Sequence, residues 1–322
     1  MGDYYLGFDI GGTQLKSGAV DLHGRVLRAE TAETGPRAGR EAVLESLLQL
    51  ARTHLRELSG ALCGGLGVAL PGFVEPAFGA RALPGKLPGL EGFPLRETVE
   101  RELRLPVRCV NDAAAATLAE WRFGAAAGFD DAVVLTLGTG VGSGVVMNGR
   151  LLENAHLGTG GGIGQFTIQT GGRLCLCGNR GCAETLVSAE AVALRLRDHL
   201  GRGVASCFSA SYFESPASIT FRSAIEGADL GDSVCREVLD EFIGDLGATI
   251  VTAIHAYNPS LVVVGGGPMA AADRFLPAVQ AYVDRYRWVY PKDREIPVRP
   301  ALHGTYAGVV GAAGSAILRA AR

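Results

Sequence analysis

The feature that most constrains how this chain can fold is a strand–glycine–strand pattern that occurs twice. The first copy, YYLGFDIGGTQLKSGAVDLHGRVL, has an apolar run ending near Asp9, a turn from Gly11 to Thr13 and a second apolar run. The second copy, DAVVLTLGTGVGSGVVMNGRLL, repeats this plan around the turn from Gly138 to Gly140. Apolar runs that flank a glycine turn are typical of β-hairpins. Because the two copies align with only a short gap, the sequence predicts two structurally related halves.

The two glycine turns are candidate phosphate-binding sites. Free backbone N–H groups in such turns can bind a phosphate, and two turns can grip a nucleotide from both sides. Asp9 is then a candidate to hold Mg²⁺ through water, and Thr13 and Thr139 can donate hydroxyl hydrogen bonds to phosphoryl oxygens. For one cluster alone, a purely structural hairpin turn is the better interpretation. Two matched clusters favour phosphate binding, although neither fits the P-loop or the Rossmann glycine pattern.

A third glycine cluster follows a strand instead of lying inside a hairpin. An apolar strand is predicted from Leu261 to Val264, and the glycines from Gly265 to Gly267 lead toward another helix. A strand, a glycine turn and a helix can form a shelf for an adenosine. An ordinary turn between a strand and a helix explains the same pattern equally well.

A candidate catalytic base lies where another strand meets a helix, in VRCVNDAAAATLAEWRFGA. A strand from Val107 to Val110 is followed by Asn111, which matches a helix N-cap, and by Asp112, an acid of the first turn. Capping alone explains an isolated Asn-Asp pair, because an acid at a helix N-terminus is favoured by about 0.3–1 kcal/mol. In a chain with two phosphate turns, an ionised Asp112 can also accept the proton of a hydroxyl group during phosphoryl transfer.

Composition and charge exclude several classes of partner. The chain has 322 residues, of which 48% are hydrophobic and 20% charged, and this length indicates about two domains. A formal net charge of −3 without a run of Lys or Arg argues against nucleic-acid binding. No stretch approaches the length of a transmembrane helix and the N-terminus does not match a signal peptide. The expected location is therefore the cytoplasm, without a membrane partner.

Three cysteines cluster in the stretch CLCGNRGCAE. Cys175, Cys177 and Cys182 fall within eight residues and are followed closely by Glu184. Thiols at this spacing can hold a metal ion, run a redox cycle or form a disulfide. The whole chain has seven cysteines, and this odd number argues against a secreted disulfide framework and favours a metal site.

Together these motifs resemble the ROK family (repressors, open reading frames and kinases) of the actin-like ATPase superfamily. The resemblance runs almost end to end, with motifs in the family's order: DIGGT at 9–13, GVALPGFVE at 67–75, ND at 111–112, LGTGVGSG at 137–144, CLCGNRGCAE at 175–184, and VVVGGG at 262–267. It implies an α/β protein with the two-domain actin-like ATPase (ribonuclease H-like) fold, in which helices flank mixed sheets. From the repeat we expect an N-terminal α/β domain at residues 1–120 and a C-terminal α/β domain with the cysteine-rich loop at 121–322. The last helix is a candidate to pack back on the N-terminal domain.

The resemblance also implies roles for particular residues in a kinase that uses ATP and Mg²⁺, with Asp112 as the base. The candidate Mg·ATP residues are Asp9, Gly11, Gly12, Thr13, Lys16, Gly138, Thr139, Gly140, Gly265, Gly266 and Gly267. The candidate sugar-binding residues are Gly72, Asn111, Glu184, Gln165 and Lys86. The implied oligomer is a homodimer.

In the family, the cysteine triad binds a structural zinc whose fourth ligand is the histidine of a G-E-x-G-H motif. Here the motif is GGIGQ, so Gln165 replaces the zinc histidine and Gly162 replaces a sugar-binding glutamate. A neutral amide is a poor zinc ligand, which leaves three cysteines with water, another fourth ligand, or no metal. His156 is the nearest imidazole and the candidate substitute. We expect zinc in preference to three reduced thiols.

The missing glutamate also bears on the substrate. Losing a charged partner of a sugar hydroxyl costs about 1.5–3 kcal/mol of binding, so plain glucose is not the expected substrate. Lys86, in ALPGKLPGLEGFPL, indicates an acidic or otherwise unusual polyol if it lines the cleft, and is a solvated loop lysine if it does not. Two hypotheses follow: an ATP-dependent carbohydrate kinase, or a sugar-binding regulatory or pseudokinase member of the family. The family's regulators carry an N-terminal helix-turn-helix, whereas the first hairpin here starts near Tyr4, which favours the kinase.

Overall fold

The computed structural model describes residues 2–12, 14–33, 39–83, 87–152 and 162–320. These residues form two compact units. Those within 1–129, 144–161 and 302–322 belong to the first unit, and those within 130–143 and 162–301 belong to the second. Each unit therefore joins segments that are distant in the sequence. The domain boundary expected at residue 120 stays a prediction.

The described residues contain strands in two five-stranded sheets and one two-stranded sheet. In chain order the strands are β1 (Tyr4–Ile10), β2 (Gln14–Asp21), β3 (Val26–Glu33), β4 (Cys63–Leu70), β5 (Phe73–Glu75), β6 (Gly79–Ala82), β7 (Val107–Asn111), β8 (Ala132–Leu137), β9 (Val141–Met147), β10 (Arg150–Leu151), β11 (Leu261–Gly266) and β12 (Val298–Pro300). β5 and β6 pair with each other in the two-stranded sheet.

Helices lie between several of these strands. In chain order the α-helices are α1 (Arg40–Glu57), α2 (Leu95–Leu103), α3 (Asp112–Phe123), α4 (Glu184–Val187), α5 (Ala189–Gly201), α6 (Ser209–Glu214), α7 (Phe221–Asp229), α8 (Ser233–Tyr257), α9 (Leu276–Tyr286) and α10 (Ala307–Ala320). The 3₁₀-helices are Ile163–Gln165, Pro216–Ser218, Gly267–Arg274 and Gly304–Tyr306. The predicted α/β class, with mixed sheets and flanking helices, is confirmed.

The first five-stranded sheet has the order β3-β2-β1-β4-β7. β1 and β2 form the predicted antiparallel hairpin, in which Asp9 lies opposite Lys16. β4 is parallel both to β1 and to β7. β1 is buried along nearly its whole length, as expected for a strand whose sheet is covered on both faces.

The second five-stranded sheet has the order β10-β9-β8-β11-β12. β10 is antiparallel to β9, whereas β11 is parallel both to β8 and to β12. Its strand order therefore repeats that of the first sheet, with three consecutive strands followed by two parallel ones. This is the relation between halves that the two glycine patterns predict.

Helices cover both faces of the first sheet. On one face, α1 and α2 bury side chains such as Leu47 and Val99 in a cluster with Phe8 and Leu66. On the other face, α10 packs on β1 and β4 and beside α3. A Cβ added at Gly67 in β4 would overlap the carbonyl group of Ala312 in α10. The glycine therefore permits a strand and a helix to approach backbone to backbone.

The second unit has an aromatic centre in its helical layer. Phe221, Phe242 and Phe275 contact one another edge to face, with ring centroids 5.2 to 6.0 Å apart. Phe242 lies in α8, whose C-cap residue Asn258 has the left-handed conformation. No helix among the described residues combines the length and the apolar character that a membrane span requires.

Candidate functional site

The first glycine turn joins β1 to β2 and has a charged side chain on each strand. Asp9 lies near the end of β1, across from Lys16 on β2. The backbone N–H of Gly11 donates to the carbonyl oxygen of Gln14 at 2.9 Å and closes the turn. A Cβ on Gly12 would meet no atom within 4 Å. Packing therefore does not require glycine there, and the open space beside the backbone fits the approach of a phosphate oxygen.

The carboxyl group of Asp9 is electrostatically perturbed. Its pKa is raised to about 6, chiefly by burial and further by the negative charge of Asp112, while the ammonium group of Lys16 opposes the rise. The two carboxylates therefore interact electrostatically. A bound cation would favour the ionised form of both. The predicted base and the predicted magnesium-binding carboxylate thus meet in the first unit.

The predicted base is the first residue of α3. The side-chain oxygen of Asn111 accepts from the backbone N–H groups of Ala113 and Ala114 at 3.0 and 3.1 Å, which confirms it as the N-cap. Its Nδ2 donates to the carbonyl oxygen of Gly72 at 2.9 Å. Asp112 Oδ1 accepts from Ala113 N–H at 2.8 Å. One network therefore joins the base to two of the candidate sugar-binding residues, at a helix end that favours negative charge.

Two features at and before the start of α10 were not predicted from the sequence. A Cβ added at Gly308, at the start of α10, would overlap the Asp9 carboxylate, so this helix end lies directly against it. In α3, Glu120 is 1% exposed, and its carboxylate accepts from the backbone N–H groups of Leu302 and His303 at 3.0 and 2.8 Å. Glu120 therefore holds the segment that leads into α10. The available signal is the stretch GVVGAAGSA at 308–316, which resembles the family's last helix.

The second glycine turn joins β8 to β9 and contacts the first residue of α5. The N–H of Gly138 donates to the carbonyl oxygen of Gly140 at 2.9 Å, and the N–H of Ala189 donates to the carbonyl oxygen of Gly138 at the same distance. Thr139 is exposed at the tip of the turn. A Cβ on Gly138 would meet no atom within 4 Å. This turn therefore also leaves room beside its backbone for a phosphate.

The third glycine cluster differs from its prediction in detail. β11 continues to Gly266, beyond the expected end at Val264, and a 3₁₀-helix from Gly267 follows instead of an α-helix. Gly266 has a φ of 98°, and a Cβ there would overlap the carbonyl group of Leu137. The fold itself thus requires this glycine. Gly267 has open space, so it is the member of the triplet best suited to contact a ligand.

The three cysteines converge on one point of the second unit. The sulfur atoms of Cys175, Cys177 and Cys182 all lie within 4.8 Å of one another, and those of Cys177 and Cys182 are 3.6 Å apart. Burial raises the pKa of Cys175 to about 12, whereas a backbone hydrogen bond from Asn179 lowers that of Cys177. Three converging thiols are a donor set that zinc prefers, so the site fits the implied metal.

Glu184 lies between this cluster and the second glycine turn. Its Oε1 is 3.7 Å from the sulfur of Cys175, and its Oε2 accepts from the backbone N–H of Val141 at 3.1 Å. A Cβ on Gly140 would come within 2.5 Å of Oε2. Glycine at position 140 therefore leaves room for the carboxylate.

Of the remaining predicted site residues, the structure describes Gln165 alone. Gln165 ends the 3₁₀-helix Ile163–Gln165 and is exposed. Thr13, Lys86 and His156 lie outside the described residues. Their predicted roles stay predictions.

Comparison with known proteins shows a family likeness over nearly the whole chain. A family profile described as ROK family matches residues 5–318. The glucokinase of Halalkalibacterium halodurans is 31% identical over 313 residues, which cover 96% of this chain and 93% of that protein. The xylose repressor of Caldicellulosiruptor bescii is 26% identical over 286 residues, which cover 88% of this chain and 71% of that protein.

The likeness extends to solved structures. A ROK family glucokinase from Streptomyces griseus, solved in complex with glucose and AMPPNP, matches with a TM-score of 0.81 and 28% identity. The match covers 98% of this chain and 99% of that chain. It confirms the predicted actin-like ATPase fold.

Proposed function

The chain belongs to the ROK family, and on that premise we propose that it is an ATP-dependent kinase for a hydroxyl group of a sugar or sugar-like polyol. The likeness to a glucokinase over 96% of the chain supports a sugar kinase. The relative solved with AMPPNP, an ATP analogue, supports ATP as the phosphoryl donor. The family likeness also supports a cytoplasmic homodimer, and light scattering on the purified protein would measure the oligomeric state.

The observation that carries this proposal is the electrostatic coupling of Asp9 and Asp112. The charge of Asp112 raises the pKa of Asp9 beyond the effect of burial. Two carboxylates that repel each other are stabilised when a cation or a proton binds beside them. A kinase needs both carboxylates in one site. The magnesium-binding carboxylate acts on the side of the nucleotide phosphates, and the base acts on the hydroxyl group that attacks the transferred phosphoryl group.

The chain's own residues supply orientation and a proton acceptor. Asn111 caps α3 and holds Gly72 through its amide, and this fixes the first helical turn from which Asp112 acts. Asp112 accepts the proton of the substrate hydroxyl, and in a loose phosphoryl transfer this positioning carries much of the rate. Asp9 with the turn at Gly11 and Gly12 would hold Mg²⁺, which when bound neutralises charge on the phosphates.

The remaining backbone turns bind the nucleotide in this proposal. The turn from Gly138 to Gly140 donates N–H groups to phosphate oxygens, with Thr139 exposed at its tip. Gly265, Gly266 and Gly267 contact the adenosine, and the open space at Gly267 supports this role. Lys16 adds positive charge across from Asp9.

The substrate pocket lacks a carboxylate that the family resemblance leads us to expect. Gly162 stands at that position, with open space where a side chain would begin, and Gln165 is exposed. We therefore propose a substrate other than plain glucose. Glu184, Gln165 and Lys86 are proposed sugar contacts on the basis of the resemblance alone.

The test is a screen of ADP release against neutral, N-acetyl and acidic sugars, made with three proteins. We expect the wild type to turn over at least one of the sugars. Asp112→Asn should lower kcat by about 10²- to 10⁴-fold with nucleotide affinity unchanged. Asp240→Asn is the matched control, because Asp240 is an exposed residue of α8, and it should behave as the wild type does.

Each other outcome has a definite meaning. Full activity of Asp112→Asn would remove the base from the mechanism. Equal turnover of glucose and acidic sugars would remove the proposed preference. Sugar and nucleotide binding without turnover in the wild type would favour a regulatory member of the family, as the likeness to a repressor also allows.

A further inference from the structure

A buried carboxylate in α3 binds backbone groups on two sides. Glu120 is 1% exposed, and its Oε1 accepts from the backbone N–H groups of Leu302 and His303 at 3.0 and 2.8 Å. Its Oε2 accepts from the N–H of Ala125 at 2.9 Å. Because both oxygens accept, the surroundings fit an ionised carboxylate. A glutamine would instead turn an NH₂ group toward one of these N–H donors.

The segment that Glu120 holds has little other support. Residues 302–306 are mostly exposed, and α10 is fully buried only from Val309 onward. The ammonium group of Lys16 lies 3.5 Å from the carbonyl oxygen of Thr305, which is long for a hydrogen bond. Hydrogen bonds to a charged group are about twice as strong as neutral ones. The bonds to Glu120 are therefore the strongest polar anchor of this segment.

The same segment leads directly to the Asp9 carboxylate. The 3₁₀-helix Gly304–Tyr306 lies between His303 and the start of α10. A Cβ added at Gly308, in the first turn of α10, would overlap the Asp9 carboxylate. The backbone at Gly308 therefore forms one wall of the space in which that carboxylate lies, and a shift of the segment would move this wall.

We propose that Glu120 is a positioning residue for Asp9. It acts through residues 302–308 and sets how strongly Mg²⁺ increases the affinity for a nucleotide. Displacement of a functional group by about 1 Å can cost up to about 100-fold, so a small movement of the wall is sufficient. Glu120 is itself buried and does not contact the nucleotide. This inference rests on the proposed role of Asp9 in holding Mg²⁺.

The base is held separately from this anchor. Asn111 fixes the first turn of α3 through its bonds to Ala113 and Ala114, and it binds the carbonyl oxygen of Gly72. None of these bonds involves residues 302–308. Loss of the Glu120 carboxylate should therefore raise the KM for Mg·ATP and leave the KM for the sugar unchanged. Partial unfolding would instead lower the apparent kcat without a selective change in one KM.

The experiment measures nucleotide binding, so that it does not require turnover. Calorimetry gives the affinity for AMPPNP with and without Mg²⁺, and the ratio of the two affinities is the Mg²⁺-dependent gain. The variants are Glu120→Ala, Glu120→Gln, Asp9→Asn and the double variant with Asp9→Asn and Glu120→Ala. Val99→Ala is the matched control for lost stability of the first unit, because Val99 is buried in α2 among the core side chains.

We expect Mg²⁺ to raise the affinity of the wild type for AMPPNP. Glu120→Ala should reduce that gain by about 10- to 100-fold and leave the affinity without Mg²⁺ unchanged. Asp9→Asn should remove the gain, and the double variant should lose little more, because the two residues act on one group. Val99→Ala should bind as the wild type does. If circular dichroism shows Glu120→Ala to be unfolded, Glu120→Gln decides, with a smaller loss because its amide oxygen still accepts on one side.

Three results would overturn this inference and leave the kinase proposal intact. The first is a wild-type gain in Glu120→Ala, or in Glu120→Gln if the alanine variant does not fold. The second is a double variant in which the two losses add. The third is a loss in Val99→Ala equal to that in Glu120→Ala. AMPPNP affinity of the wild type that does not depend on Mg²⁺ would instead remove the proposed role of Asp9, and this inference with it.

Discussion

At the scale of single residues, Asp9 should make the stability of the protein depend on pH. Its pKa rises from 3.8 to about 6 on folding, mainly through burial and then through Asp112. The folded protein therefore holds this proton more tightly than the unfolded chain, and the free energy of unfolding falls as pH rises from about 4 to about 6. At neutral pH the ionised group is destabilising by at most about 3 kcal/mol. Without Mg²⁺ or nucleotide, Asp9→Asn should raise the free energy of unfolding at pH 7 by about 1–3 kcal/mol.

Urea unfolding of both proteins at several pH values measures this effect. A second aspartate on the same hairpin supplies a control of opposite sign. Although burial favours a higher pKa for Asp21, the backbone N–H groups of Arg25 and His23 bind its carboxylate and hold its pKa below the ordinary value. Asp21→Asn should therefore lower stability at pH 7, and the loss should disappear in acid. An Asp9→Asn protein that is less stable than the wild type at pH 7 would contradict the perturbed state of Asp9.

The sequence alone predicted the contacts of some of these residues and not those of others. Asn111 was recognisable as an N-cap because its bonds to Ala113 and Ala114 are local in sequence. The contact of Gly308 with Asp9 joins positions about three hundred residues apart, and no local pattern encodes it. The direction of the Glu184 side chain is likewise set by Val141 in another strand, so the motif that contains Glu184 could not reveal it.

At the scale of elements, the packing of α10 on α3 depends on a glycine. A Cβ on Gly311 would overlap the backbone carbonyl group of Ala115, so Gly311→Ala must push the two helices apart. Overpacking of this kind costs about 1–3 kcal/mol, while the better helix propensity of alanine offsets about 1 kcal/mol. We expect Gly311→Ala to lower the free energy of unfolding by up to about 2 kcal/mol, measured by chemical denaturation.

The matched control is another glycine inside a helix. Gly244 lies in α8, and a Cβ there would meet no atom within 4 Å. Gly244→Ala should therefore only gain helix propensity and raise stability by up to about 1 kcal/mol. Equal effects of the two substitutions would show that helix propensity, and not contact with α3, decides the result.

Elements defined by local pattern were predicted well. The first hairpin follows from apolar runs around a glycine turn, and its register places Asp9 opposite Lys16. The end of β11 was placed two residues early, because Gly265 and Gly266 were read as a turn although they pair with β8. Pairing with a neighbouring strand overrides the weak preference of glycine for turns, and that partner is not visible in a local window.

At the scale of the whole molecule, chain order does not match spatial order. The first unit takes its last segment from residues 302–322, and α10 buries Val309, Val310 and Ile317 against it. From the sequence we expect this helix in the C-terminal domain at 121–322, with packing on the N-terminal domain as a candidate. The contacts of α10 with β1 and β4 agree with that candidate. The position of α10 depends on burial against residues that are distant in the sequence.

Removal of residues 302–322 should therefore unfold the first unit although it cuts the chain at its far end. Burial of Val309, Val310 and Ile317 contributes about 5–9 kcal/mol, which is comparable with the whole stability of a typical domain. We expect residues 1–301 to lose hydrogen-exchange protection in β1 and β4, measured by mass spectrometry. A synthetic peptide of residues 302–322 should restore that protection, and a version with Val309, Val310 and Ile317 replaced by serine should not. Full protection of β1 and β4 in the truncated chain would show that α1, α2 and α3 suffice to hold the first sheet.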